Sequence, residues 1–342
     1  MRLMFHAFFV QLIDEVAANI LLHHFLWYRR MPPARGPSLH DCPALYSGDL
    51  TSFYAPPPGA VDLEADRWCF LETAIATVWD FRFSSETSTG WPESDRVWGR
   101  HWKTKNSDQG LTVVGVDGIV QLGTRWFRRL AEQLNPRGID VLMMDAPFNY
   151  RRTPMDYRPG QLIISGDLGH QLAVTRQGVL DLWRVIVSLQ RQGRRVGLVG
   201  VSYGGWLTLL TSLLAENLEF LIAVVPPVDI VRMLREGGTI VRGIRRGIGY
   251  ELLDRAELER RARPVIPSCW PKKLPGSQIV LHAARYDRLA PCRPIEKLAR
   301  SWDAKLVVHS AAHFNLTNSA HLFPQIAEEV CGLARLDREC WE

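Results

Sequence analysis

The chain lacks paired cysteines, long unbroken apolar runs and blocks of one charge. Its six cysteines, Cys42, Cys69, Cys269, Cys292, Cys331 and Cys340, lie far apart and form no CxxC pair. That spacing argues against a metal site and against a dense disulfide framework; it suits unpaired thiols in a reducing, cytoplasmic setting. The net charge is only +5, and arginine pairs such as Arg151-Arg152, Arg194-Arg195, Arg245-Arg246 and Arg260-Arg261 are scattered. Nucleic acid calls for one dense basic face interleaved with aromatics, so no nucleic-acid partner is expected. The phosphate-loop pattern Gly-x-x-x-x-Gly-Lys is missing as well.

Residues 3–28 come nearest to a hydrophobic run. Phe5, Phe8, Phe9, Leu12, Ile13, Val16, Ile20 and Leu21 recur at helical spacing, while Gln11, Asp14, Glu15 and Asn19 interrupt them. The interruptions disfavour a transmembrane span, and no small-residue cleavage site marks a signal peptide. An amphipathic helix docked on the body is expected. Arg2, Arg29 and Arg30 flank it, which leaves peripheral membrane contact through residues 1–30 open.

What is present is enough for a large core: 342 residues, 46% hydrophobic, with twelve tryptophans. Prolines at 32–37 and 56–58 punctuate an N-terminal stretch whose segments 76–83 and 96–102 alternate like half-buried strands of an antiparallel hairpin. From Leu111 the rhythm changes to continuous apolar strands alternating with helices. Strands are expected at 111–116, 139–144, 196–201, 220–225, 278–282 and 304–309, and helices near 123–134, 170–192, 292–302 and 316–334. Alternation at this spacing means βαβ units and a mostly parallel sheet flanked by helices. The division expected is an N-terminal helical/β extension over 1–94, an α/β core over 95–227 and 277–342, and a helical insertion over 228–276.

The chemistry centres on Gly200-Val201-Ser202-Tyr203-Gly204-Gly205, set between a short apolar strand and a helix. Gly-x-Ser-x-Gly in that context is a nucleophile elbow, with the hydroxyl of Ser202 lifted to a helix N-terminus. Serine needs a base, and the base needs a carboxylate to fix its tautomer. Catalytic groups in such sheets gather past the carboxyl ends of the strands. His313 lies in the loop after the last strand, ahead of His309, His282 and His321 as the base. Asp287 lies just beyond the preceding strand, with Asp229 as the competing acid. Oxyanion donors are expected from the amide of Tyr203 and from the turn after the strand 111–116, at Ile119 or at Gly118. Tyr150, Arg151 and Arg152 are candidates for contacting a polar or anionic substrate, with a salt-bridged loop as the competing account, and Asp117 is a further candidate for substrate binding.

Together with Tyr286-Asp287-Arg288-Leu289-Ala290-Pro291 and Ala312-His313-Phe314, the elbow resembles the α/β-hydrolase fold superfamily over roughly residues 95–336. The segment Asp145-Ala146-Pro147-Phe148-Asn149-Tyr150-Arg151-Arg152-Thr153-Pro154 is similar to one in its abhydrolase-domain branch. The resemblance implies a serine hydrolase, a small-molecule ester as substrate, no metal or organic cofactor, and a helical lid over 228–263. The usual His-Gly after the third strand of that fold is here Asp117-Gly118. A carboxylic ester hydrolase working through Ser202, His313 and Asp287 is the expected function. A peptidase, an acyltransferase and a binding protein that keeps the fold are the alternatives. Ser202-Tyr203-Gly204-Gly205 also looks like the elbow of prolyl-oligopeptidase relatives, whose large β-propeller has no room here.

Overall fold

The computed structural model describes residues 49–106, 109–163, 168–236 and 255–335, together with positions 12 and 16. The amphipathic helix expected over 3–28 therefore falls outside the described residues, apart from those two positions.

Nine strands form one sheet: β1 (Arg67–Glu72), β2 (Ala76–Ser84), β3 (Arg96–Thr104), β4 (Leu111–Val116), β5 (Asp140–Met144), β6 (Arg195–Val201), β7 (Leu218–Val224), β8 (Ile279–Ala284) and β9 (Lys305–His309). Their spatial order is β1-β2-β3-β5-β4-β6-β7-β8-β9. The strands from β1 to β3 pair antiparallel, as does β3 with β5, and every pairing from β5 through β4 to β9 is parallel. The expected 76–83 and 96–102 pair forms as the antiparallel ladder β2–β3, which joins the parallel strands in one sheet through the pairing of β3 with β5.

The side-chain alternation of each strand feeds two cores. Val114 and Val116 of β4, Val196 and Leu198 of β6, and Leu221 and Ala223 of β7 face one. The helices Leu168–Arg191, Tyr203–Ser212 and Cys292–Trp302 cover that face with Leu182, Ile186, Leu207, Leu210, Ile295 and Leu298. Val113, Val199, Val201, Phe220 and Ile222 face the other, beneath the helices Arg125–Leu134 and Leu322–Leu333. Covered on both sides, β4 through β8 have almost no exposed residue, which is why their sequences read as unbroken apolar runs.

One expectation changes in detail. The last helix, expected as one piece at 316–334, is split into His313–Thr317 and Leu322–Leu333. Asn318 ends the first piece: its Nδ2 donates to the Phe314 carbonyl at 2.8 Å, competing with the helix ladder. In the segment 228–263, helices occupy Ile230–Glu236 and Arg255–Ala262, and 237–254 lies outside the described residues. Among the described residues no helix is long and apolar enough to cross a membrane.

Candidate active site

At the carboxyl end of β6 the backbone turns straight into a helix. Ser202 sits at that corner with φ 51° and ψ −119°, a conformation that L side chains rarely adopt. Small neighbours make the turn possible. A Cβ on Gly204 would lie 2.0 Å from the Val116 carbonyl oxygen, so the elbow helix packs directly on the end of β4. A Cβ on Gly200 would lie 2.5 Å from the Gly204 carbonyl oxygen.

His313 and Asp287 come to this corner from the ends of β9 and β8. His313 Nε2 lies 2.9 Å from Ser202 Oγ, and His313 Nδ1 lies 2.7 Å from Asp287 Oδ2. A carboxylate facing Nδ1 keeps the proton there and leaves Nε2 as the acceptor for the serine hydroxyl. The other carboxylate oxygen, Oδ1, accepts the amides of Leu289 at 2.8 Å and Ala290 at 2.7 Å, which fixes the direction of Oδ2. The two loops are laced together by Arg285 N–H to the His309 carbonyl at 2.9 Å and Tyr286 N–H to the Ala311 carbonyl at 3.0 Å. Asp287 and His313 are both buried.

The other sequence candidates do different things. Asp229 Oδ1 accepts the Arg232 amide at 2.9 Å at the start of the helix Ile230–Glu236. His309 Nε2 lies 3.0 Å from His282 Nδ1, and His282 Nε2 lies 2.8 Å from Glu329, a pairing between β8, β9 and the last helix. Desolvation and the neighbouring His282 hold the His309 pKa below its usual value.

Tyr150 and Arg151, expected to contact substrate, do not line the cavity over Ser202. Arg151 is turned inward, its Nε donating to Asp145 at 2.7 Å and its NH1 to Asp80 at 3.0 Å. Asp80 is also held by both Nε and NH2 of Arg100 at 2.7 Å. Arg152, fully buried, donates to the Ser94 and Asp145 carbonyls and to Asp181. Buried guanidinium groups need carboxylates and carbonyls around them, and this loop supplies them. The salt-bridged account of these arginines is the one that matches the contacts.

The turn after β4 lies over the elbow. A Cβ on Gly118 would be 3.4 Å from Ser202 Cβ and 3.9 Å from Oγ. The Gly118 amide, however, donates to Asp117 Oδ1 at 2.7 Å. Asn149, which the sequence did not single out, clamps this turn from both sides. Its Nδ2 donates to the Gly118 carbonyl at 2.8 Å, and its Oδ1 accepts the Gln121 amide at 2.9 Å. Gly160 presses on it too: a Cβ there would lie 2.8 Å from Ile119 Cγ1 and 2.9 Å from the Val120 nitrogen. Val120 has φ 63°, a strained value for a β-branched residue. A side-chain amide can belong to any turn, so nothing in the local pattern marks Asn149.

Above these groups opens a cavity of about 710 Å³. Ile119, Leu172, Trp206, Met233, Leu234 and Phe323 give it an apolar wall, and Ser202, Tyr203 and His313 form part of the lining.

No protein-family model and no curated protein sequence matches the chain. Solved structures do. It is similar to acetyl xylan esterase 1 from Thermoanaerobacterium sp., with TM-score 0.56 and 15% identity over 80% of this chain and 95% of that one. It is similar to an S-formylglutathione hydrolase from Agrobacterium tumefaciens, with TM-score 0.55 and 14% identity over 79% of this chain and 99% of that one. It is also similar to the Pyrococcus horikoshii acylaminoacyl peptidase, with TM-score 0.54 and 13% identity; 78% of this chain covers 42% of that one. A mostly parallel sheet in this order, an elbow at the end of β6, and these neighbours give one conclusion: the chain has the α/β-hydrolase fold.

Proposed function

We propose that the chain is a serine hydrolase that cleaves carboxylic esters through an acyl-enzyme. The observation that carries this is the hydrogen-bonded line from Asp287 through His313 to Ser202 at the wall of an apolar cavity. Ser202 Oγ attacks the ester carbonyl while His313 Nε2 takes its proton. The same nitrogen then protonates the leaving alcohol. Water repeats the cycle on the acyl-enzyme, and Asp287 holds the imidazole throughout. The Tyr203 amide, at the first turn of the elbow helix, is one oxyanion donor. The Ile119 amide is the second, because Asp117 engages that of Gly118. The apolar wall favours an apolar acyl group.

Ser202→Ala is expected to lower kcat on a p-nitrophenyl ester by roughly 10³- to 10⁶-fold and to abolish labelling by a fluorophosphonate. Full activity in that variant would refute the mechanism. Amide hydrolysis is the second reading, favoured by the fold shared with the acylaminoacyl peptidase. An aminoacyl p-nitroanilide assayed beside the ester separates the two.

A further inference from the structure

The cavity over Ser202 is walled from both faces of the sheet, and its two halves differ in character. Leu172, Trp206, Ile230 and Val265 belong to the core on the side of the elbow helix and make one half apolar. Trp126 and Phe323 belong to the core on the opposite face, and Thr317, Asn318, Arg125 and Arg129 complete that half. The second half is tied together. Trp126 Nε1 donates to the Thr317 carbonyl at 3.1 Å, the Trp126 and Phe323 ring centres are 5.1 Å apart, and the Arg129 guanidinium lies 5.6 Å from the Phe323 ring centre. Ser202 sits where the halves meet: Val201 before it belongs to the second core and Tyr203 after it to the first.

Arg125 and Arg129 stand one turn apart on the helix Arg125–Leu134, so they share one face of it. Local electrostatics oppose that placement. Like charges at this spacing repel, and a cation in the first turn meets the positive end of the helix dipole, where no acidic residue offsets it. Neighbouring arginines are compensated: Arg128 pairs with Glu132, and Arg137 with Glu328. Among the described residues no carboxylate forms an ion pair with Arg125 or Arg129. Asp117, the one carboxylate among the described residues lining the cavity, accepts the Gly118 amide at 2.7 Å instead. Arg125 is exposed and Arg129 half-buried, so a ligand entering from solvent meets both. Two uncompensated cations that cost the helix stability and line the cavity of the reacting serine are a local rule broken at a functional place.

We propose that Arg125 and Arg129 bind an anionic group, a carboxylate or a phosphate, carried on the alcohol side of the ester, while the apolar half takes the acyl chain. The assignment rests on Ser202 being the nucleophile of ester cleavage. His313 decides which end goes where. Its Nε2 must protonate the leaving oxygen, and the residues that follow it in the chain, Thr317 and Asn318, line the arginine half. The leaving alcohol therefore points toward Arg125 and Arg129, and the acyl chain lies against Leu172 and Trp206. Guanidinium groups match the paired oxygens of carboxylate and phosphate alike, which is why the class is defined by its negative charge.

The test compares p-nitrophenyl hexanoate with the same ester bearing a carboxylate on the nitrophenyl ring, on the full chain. The kcat/KM ratio of charged to neutral ester is expected to fall roughly five- to thirtyfold in the double variant Arg125→Gln/Arg129→Gln, mainly through KM. In wild type the ratio should also shrink as salt rises from about 0.02 to 0.5 M. Arg128→Gln, on the same helix, is expected to keep the wild-type ratio. Phenylphosphonate and benzoate, each added against the neutral ester, separate the two anions: the one that inhibits wild type more strongly than the double variant names the group. An equal ratio in wild type and the double variant would overturn the proposal. Binding of the two esters to Ser202→Ala, followed by tryptophan fluorescence, gives a readout without turnover. Preference for the charged ester there, with no hydrolysis by wild type, would remove the hydrolase reading and leave the anion site. Hydrolysis of both esters with no effect of the arginines would leave the hydrolase and remove the anion site.

Discussion

Asn149 shows what a single side chain contributes without touching the reacting atoms. Its amide spans the turn from the Gly118 carbonyl to the Gln121 amide, and the strained Val120 lies between those contacts. Removing it loosens the turn that carries Ile119, the proposed oxyanion donor, and a donor displaced by even an ångström loses much of its value. Asn149→Ala is expected to lower kcat on a p-nitrophenyl ester by about 10- to 100-fold with KM nearly unchanged. A rise in KM alone would assign Asn149 to ground-state binding instead.

At the scale of the element, the elbow depends on how closely the helix Tyr203–Ser212 approaches β4. The obstacle to a Cβ on Gly204 is backbone, the Val116 carbonyl at 2.0 Å, and backbone cannot swing aside as a side chain can. Gly204→Ala must therefore push the helix off the sheet, disturbing both the Ser202 corner and the β4 turn above it. Destabilisation of about 3 kcal/mol is expected, the upper end of the usual cost of overpacking, and urea unfolding measures it. An unchanged urea midpoint would show that the helix has more freedom than this packing implies. The lacing between the β8 and β9 loops works in the same way, holding Asp287 and His313 in mutual register.

Across the whole molecule, the ion network Arg100–Asp80–Arg151–Asp145 ties the antiparallel strands β2 and β3 to the end of the parallel strand β5. Gln121 extends it to the β4 turn through Asp145, 3.1 Å away. Burial would raise the Asp80 carboxyl, but Arg100 and Arg151 prevail and hold it below its usual value. A depressed carboxylate stabilises the fold above its unfolded pKa of about 3.9 and loses that contribution as pH falls through the folded value. Arg151→Met leaves two buried carboxylates short of a partner and is expected to cost about 3–5 kcal/mol at pH 7. Adding Asp145→Asn should recover part of the loss in the same unfolding experiment; strict additivity would show that the pair is uncoupled.

The core strands, the elbow and the order Ser202, Asp287, His313 were legible in the primary structure because each is a local pattern: an apolar run, a glycine-flanked serine, a polar residue just past a strand. Local pattern could not say where the arginines of 151–152 would point. Their partners, Asp80, Ser94, Asp145 and Asp181, come from segments far apart in the chain, and only folding brings them together. Asn149 was invisible for the same reason, since its role consists of two hydrogen bonds to a turn some thirty residues earlier. Asp117 stands between the two cases. Its departure from the expected His-Gly can be read directly from the residues, but the desolvation that raises its carboxyl exists only once β4, β5 and the elbow are packed around it. The amino-acid order determined which groups the site has, and tertiary structure decided which of them are held and which face the cavity.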